Sequence, residues 1–181
     1  MAIRFYNEDC NYVLKGKRLI STWIRAAIEE EGFATGDISY IFCSPERHIE
    51  INRKYLGHDY YTDVITFDYS GAGQNSKSAN PVSRGTDRTA AGSGEAEPET
   101  ENPFTGSKHS KDHPRLSISG DIFIDPATVA SNAAEYGATP REEMLRVLIH
   151  GVLHLCGYKD KSETEARIMR KKENYYLAKY Q

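Results

Sequence analysis

His150 and His154 stand four residues apart in a chain of 181. On a helix that spacing puts both imidazoles on one face, one turn apart. Gly157 follows three residues later, where a helix readily ends in a left-handed turn, and Asp160 comes after that turn. The pattern H-x-x-x-H-x-x-G-x-x-D offers two nitrogen ligands from a rigid element and one oxygen ligand from the returning chain. Three protein ligands with a fourth position open is the arrangement of a catalytic zinc rather than a structural one. One histidine in apolar surroundings is usually a core residue satisfied by hydrogen bonds. Two at this spacing, with the glycine and aspartate in step, point to one bound metal ion, Zn²⁺ as the working assignment, held by His150, His154 and Asp160.

The element that must position the pair is a helix. At about 100° per residue, Leu145, Ile149, Val152 and Cys156 form one apolar stripe, and Val147 and Leu153 flank the histidines on the other side. A helix that is apolar on nearly all sides is buried, so this one is expected at the centre of the fold. Thr139-Pro140-Arg141-Glu142 reads as its start, with Thr139 as cap and proline at the first helical position. Ser162-Glu163-Thr164-Glu165 opens a last helix carrying Arg167, Arg170, Lys171 and Lys172, whose charges fit a solvated face.

Upstream, Ile3–Tyr6, Asp37–Ser44, Thr62–Phe67 and Ile118–Asp125 read as strands. Lys17–Glu31 reads as an amphipathic helix closed by Gly32, Pro45–Leu56 as a second, and a third begins at Pro126 and stops at Gly137. The expected fold class is α+β: a small mixed four-stranded sheet with helices packed against it, the histidine helix central. From about residue 70 to 117 the composition shifts to Gly, Ser, Ala, Asn, Glu and Pro. Such a run buries too little apolar surface to offset its ordering entropy. It is expected to be a disordered or flexible insertion in one domain spanning 1–181. It holds six basic and six acidic residues, so the rest of the chain keeps the net charge of −3. That charge argues against nucleic-acid binding over the whole surface and leaves room for a local basic patch. His109 and His113 repeat the four-residue spacing inside this segment, but without apolar support they read as solvated. Cys10, Cys43 and Cys156 show no paired spacing and fit reduced thiols of a cytoplasmic protein. No run is long and apolar enough for a membrane span or a signal peptide.

The histidine motif is similar in spacing to that of metzincin metalloproteases, which carry Glu directly after the first histidine as general base. Here that position is Gly151. It more closely resembles the YbeY family of bacterial rRNA maturation factors, whose signature is H-G-x-L-H-L-x-G-Y-D-H. The chain reads H-G-V-L-H-L-C-G-Y-K-D from His150 to Asp160. His150, Gly151, Leu153, His154, Leu155, Gly157 and Tyr158 match, and Asp160 stands where the family has its third histidine. Asn52–Phe67, N-R-K-Y-L-G-H-D-Y-Y-T-D-V-I-T-F, is similar to the family's N-x-x-Y-R-x-x-D-x-P-T-D-V-L-S-F. Gly120–Ile124 matches its G-D-I-x-I strand. The resemblance covers nearly all of the chain outside the insertion. Two departures stand out: Leu56 falls on the family's arginine and Tyr61 on its proline.

The resemblance implies a zinc-dependent, single-strand-specific endoribonuclease that matures the 3′ end of 16S rRNA and takes part in ribosome quality control. Its implied partners are a single-stranded ribosomal RNA precursor and the small ribosomal subunit, in the cytoplasm and without a membrane. The family's arginine is thought to act on the RNA phosphate. Arg53, Lys54 and His58, in the same segment, are the candidates to replace it. Asp63 and Asp121 are candidate bases by their place in matching blocks; equally, they fix local structure as turn or strand-end carboxylates. Two alternatives stay open at this point: a non-catalytic ribosome-assembly factor, or a metallohydrolase of another substrate such as peptides.

Overall fold

Every expected strand and helix forms in the computed structural model, which describes residues 1–57, 59–70, the backbone of 81–83, and 115–180. In chain order these are β1 (Ile3–Asn7), α1 (Lys17–Glu30), β2 (Ala34–Phe42), α2 (Pro45–Leu56), β3 (Val64–Asp68), β4 (Pro81–Ser83), β5 (Ser117–Ile124), α3 (Pro126–Glu135), α4 (Pro140–Leu155) and α5 (Glu163–Leu177). The sheet runs β1-β2-β5-β3-β4. β1, β2 and β5 are parallel, and β3 lies antiparallel between β5 and β4. The four expected strands form the mixed sheet. The short β4 adds a fifth on its β3 side, inside the stretch read from sequence as an insertion; most of that stretch, with His109 and His113, lies outside the described residues. Strand β2 begins at Ala34, three residues before the Asp37 start expected from sequence, with a register shift between Thr35 and Ile38 against β5.

Alternation along the strands sorts their side chains onto two faces. Ile118, Ile122 and Ile124 of β5 and Val64 of β3 join the main core with Ile20, Ile24 and Ile28 of α1 and the apolar residues of α4. On the other face, Ile65 and Phe67 of β3 and Phe123 of β5 pack with Ile51 and Leu56 of α2. Helices α2 and α4 therefore lie on opposite sides of β3. That is why Val64, Ile65, Thr66 and Phe67 are all buried although β3 sits beside the short edge strand β4.

Helix α4 is the central element. Twelve of its sixteen residues, from Glu143 through Leu155 excepting Arg146, are buried. Each such Leu, Ile or Val side chain contributes about 1.5–3 kcal/mol of transfer free energy. Packing, rather than propensity, therefore fixes this helix. Tyr40 of β2, itself fully buried, donates its hydroxyl to the Leu148 carbonyl at 2.9 Å, pinning the helix to the sheet. No helix among the described residues is long and apolar enough to cross a membrane.

Candidate metal centre

The start of α4 is fixed by a capping box. The Thr139 hydroxyl accepts from the Glu142 N–H at 3.2 Å, and the Glu142 carboxylate accepts from the Thr139 N–H at 2.9 Å. The Thr139 hydroxyl also donates to the Glu142 carboxylate at 2.7 Å, and that bond first, then the Thr139 N–H, holds the carboxyl below the usual glutamate range. At the other end Gly157 adopts φ +94°, a value costly for any residue with a Cβ. It turns the chain so that the N–H groups of Gly157 and Tyr158 bond back to the His154 and Leu153 carbonyls, at 2.9 and 3.0 Å. The turn leaves the Tyr158 carbonyl 2.8 Å from His154 Nδ1. The Tyr158 hydroxyl donates to Glu31, the residue capping the C-terminus of α1, at 2.8 Å, where Lys172 and Tyr176 of α5 also converge. Burial, then the Glu31 carboxylate, raises the Tyr176 hydroxyl far above the tyrosine range, so Tyr176 stays a donor there. The loop between the second histidine and the aspartate is thus anchored to two helices.

Four residues determine the geometry. His150 Nδ1 lies 2.8 Å from Glu173 Oε1, and His154 Nδ1 lies 2.8 Å from the Tyr158 carbonyl. Both partners accept, so both rings carry a proton on Nδ1 and turn an Nε2 lone pair inward when neutral. The two Nε2 atoms face each other at 2.9 Å, and Asp160 Oδ2 lies 3.5 and 3.7 Å from them. One donor atom from each of the three residues falls within 4.8 Å of the others, a set able to hold one metal ion. Two buried imidazole nitrogens beside a carboxylate are the donor chemistry of a cation site. Histidine ligands commonly donate their outer N–H to a carboxylate or a carbonyl in this way.

Gly151 lies against the sheet. A Cβ there would come within 2.8 Å of Ile122 Cγ2 and 3.4 Å of Thr66 Oγ1. The position next to the first histidine therefore faces packed side chains on β5 and β3, with no room for a carboxylate acting on water. Cys156 is a half-buried thiol raised well above the cysteine range by burial, then by Glu31. It packs with the core as its place on the apolar stripe suggested.

Among the described residues, the candidates Arg53, Lys54, Asp63 and Asp121 make their contacts away from the three donors. Arg53 is paired with Asp59 at 2.6 Å, both side chains mostly exposed, and Lys54 lies 5.1 Å above the Tyr55 ring. Neither touches the three donors among the described residues, and Leu56 packs on the face of the sheet away from α4. His58 lies outside the described residues. Asp121 alternates with Ile122 and so points to the α2 side, where Tyr69 donates to it at 3.1 Å. Burial first, then this carboxylate, pushes the Tyr69 hydroxyl up to about 12. Asp63 is buried; its carboxylate accepts from Asn132 at 3.2 Å and its carbonyl from the Asp125 N–H at 3.0 Å. These bonds tie the entry of β3 to α3, the structural role open to it from sequence. Asn52 of the same block closes the loop after α2 through the Tyr60 carbonyl at 2.7 Å. Sequence reasoning missed Glu173, Arg146 and the Glu31 cluster. The sole signal was a Glu within a basic helix, and nothing in its spacing announced burial.

The Endoribonuclease YbeY family model matches residues 3–181. A relative from Parabacteroides distasonis bearing that name is 40% identical over 178 residues, covering 98% of this chain and 95% of the relative. Another from Bacteroides thetaiotaomicron is 36% identical over 178 residues, covering 98% of each. The solution structure of TM1509 from Thermotoga maritima shares the fold with a TM-score of 0.52 at 22% identity, covering 99% of this chain and 89% of that one. On the family match and these relatives, the chain belongs to the Endoribonuclease YbeY family.

Proposed function

We propose that the protein is a metal-dependent endoribonuclease that cuts single-stranded ribosomal RNA precursor, acting at the 3′ end of 16S rRNA with the small subunit as partner. It works in the cytoplasm as one hydrolase domain over 1–181. His150, His154 and Asp160 hold the ion, which we assign as Zn²⁺. The observation that carries this reading is the convergence of their three donor atoms in a chain of this family. When bound, Zn²⁺ supplies a Lewis acid that activates water near neutral pH and polarises a phosphoryl oxygen.

The chain's own residues account for the rest. His150 and His154 are held as inward-facing lone pairs by Glu173 and the Tyr158 carbonyl. Asp160 adds a negative charge where the family signature has a neutral imidazole. Lys159 and Lys161 flank it and are exposed, so they can meet phosphate oxygens whose charge grows during cleavage. Arg53 can add to them only by leaving Asp59; an exposed pair of this kind is worth under about 1 kcal/mol and yields readily. The packing of Gly151 on the sheet favours RNA over peptides. Peptide hydrolysis must protonate a leaving amine, and the metzincins use a carboxylate at that position.

A second reading, an assembly factor with marginal catalysis, is favoured by one observation: Leu56 occupies the position of the family's arginine and is built into the α2 face. Purified protein should be offered single-stranded precursor RNA, its duplex form and a peptide library. Cleavage of the single strand alone supports the proposal. Cleavage of peptides, or ribosomal RNA binding without cleavage, would replace it with one of the other two readings.

A further inference from the structure

Glu173 is an anomaly on α5. Its residue is 1% exposed on a helix whose other charged side chains mostly meet water. Its two oxygens are used differently. Oε1 faces His150 Nδ1 at 2.8 Å, while Oε2 receives Arg146 Nη1 at 3.0 Å and Arg170 Nη1 at 3.2 Å. Arg146 is itself fixed by the Asn174 side-chain carbonyl at 2.8 Å and by Glu143 at 3.6 Å. A guanidinium can only donate. The outer side of this group must therefore be an acceptor, and in a carboxylate the inner side is then an acceptor too.

We propose that Glu173 is a positioning residue that sets the tautomer of His150, and that Arg146 and Arg170 enforce it. The proposal rests on the metal-centre reading above and adds how the lone pair is kept available. With an acceptor at Oε1, the His150 proton stays on Nδ1 and Nε2 remains open toward His154 and Asp160. His154 is set independently by the Tyr158 carbonyl, which makes it an internal control.

The isosteric change Glu173→Gln separates this role from simple packing. The amide has one acceptor, and the two guanidiniums claim it. The NH₂ group is then turned to His150 Nδ1, which must accept, so the ring proton moves to Nε2. There it points at His154 Nε2, 2.9 Å away, and blocks the centre. Loss of an outer partner of a metal-ligating histidine typically lowers affinity about 10–100-fold; a comparable loss of zinc affinity is expected here.

The test is long-range ¹H–¹⁵N correlation of the histidine rings in metal-free protein, with zinc affinity measured by chelator competition. Wild type should show Nδ1–H on both His150 and His154. Glu173→Gln should switch His150 alone to Nε2–H and weaken zinc about 10–100-fold. Nε2–H on His150 in the wild type, or retention of Nδ1–H in Glu173→Gln, overturns the proposal. A switched tautomer in a protein whose wild type takes up no zinc would uphold the role of Glu173 and sink the metal-centre reading instead.

Discussion

Removing the Asp160 carboxylate tests the ligand that distinguishes this chain from its family signature. Asp160 Oδ2 stands 3.5 and 3.7 Å from the two imidazole nitrogens, and its side chain is 14% exposed. Structural zinc sites with four ligands bind with about 10–16 kcal/mol. One ligand is then worth about 3 kcal/mol, or roughly a hundredfold in affinity. With free zinc at about a hundred times the wild-type Kd, the metal stabilises wild type by about 2.7 kcal/mol. In Asp160→Ala the same zinc only matches the weakened Kd, and the stabilisation falls to about 0.4 kcal/mol. For a chain of this size the lost 2.3 kcal/mol or so corresponds to about 5–9 °C in the zinc-dependent rise of Tm. Differential scanning calorimetry with and without zinc reads this directly, and elemental analysis gives the metal bound. Without metal the two proteins should melt within about 1 kcal/mol of each other, as for most substitutions away from the core. Asp160→His should retain most of the rise. An unchanged rise with stoichiometric zinc in Asp160→Ala would refute its assignment as a ligand.

Gly151→Glu, which installs the metzincin carboxylate, should cost more than about 3 kcal/mol in chemical denaturation and yield no peptidase. Its Cβ alone would meet Ile122 Cγ2 at 2.8 Å; a variant as stable as wild type would contradict this packing. His48 is fully buried with Nδ1 unpartnered among the described residues. Burial lowers its pKa below 6.5 against the opposing pull of the Phe123 carbonyl, Asp125 and Asp63. The unfolded chain then binds the extra proton, so this stability is complete above the ordinary histidine value and is lost as pH falls below 6.5. The slope of unfolding free energy with pH, at most about 1.4 kcal/mol per unit for one proton, should shrink by this contribution in His48→Gln; an unchanged slope would refute it. Cys43 and Cys156, both pushed above the thiol range chiefly by burial, should resist alkylation at pH 8 in native protein and react on denaturation. Equal rates in both states would count against their packing.

The parts of this molecule written in local chemistry were legible. The His150–His154 spacing, the Thr139 cap, Gly157 and the prolines at helix starts act within one turn of the chain, and each stands where the sequence put it. Asp160 could be placed because it stands only six positions after His154. Long-range partners were not legible. Glu173 meets His150 across 23 positions and Glu31 meets Tyr158 across 127; such pairings depend on how helices cross, which no periodicity encodes. The same limit applies to α2. Its motif match suggested that Arg53 and Lys54 lie near the chemistry, but sheet alternation puts α2 on the far side of β3 from the histidines. The residues from 70 to 117 looked featureless, yet Pro81–Ser83 pair with β3, because ladder hydrogen bonds come from the backbone and need no particular side-chain pattern.

The central claim is that RNA cleavage runs through the ion held by His150, His154 and Asp160. The most direct measurement follows cutting of a defined single-stranded precursor by one preparation as isolated, after chelation and dialysis, and after stoichiometric zinc is returned, beside folded His150→Ala. Cutting should stop on chelation, return with zinc, and be absent in His150→Ala with or without the metal. Cutting that persists through chelation and in His150→Ala would contradict the account.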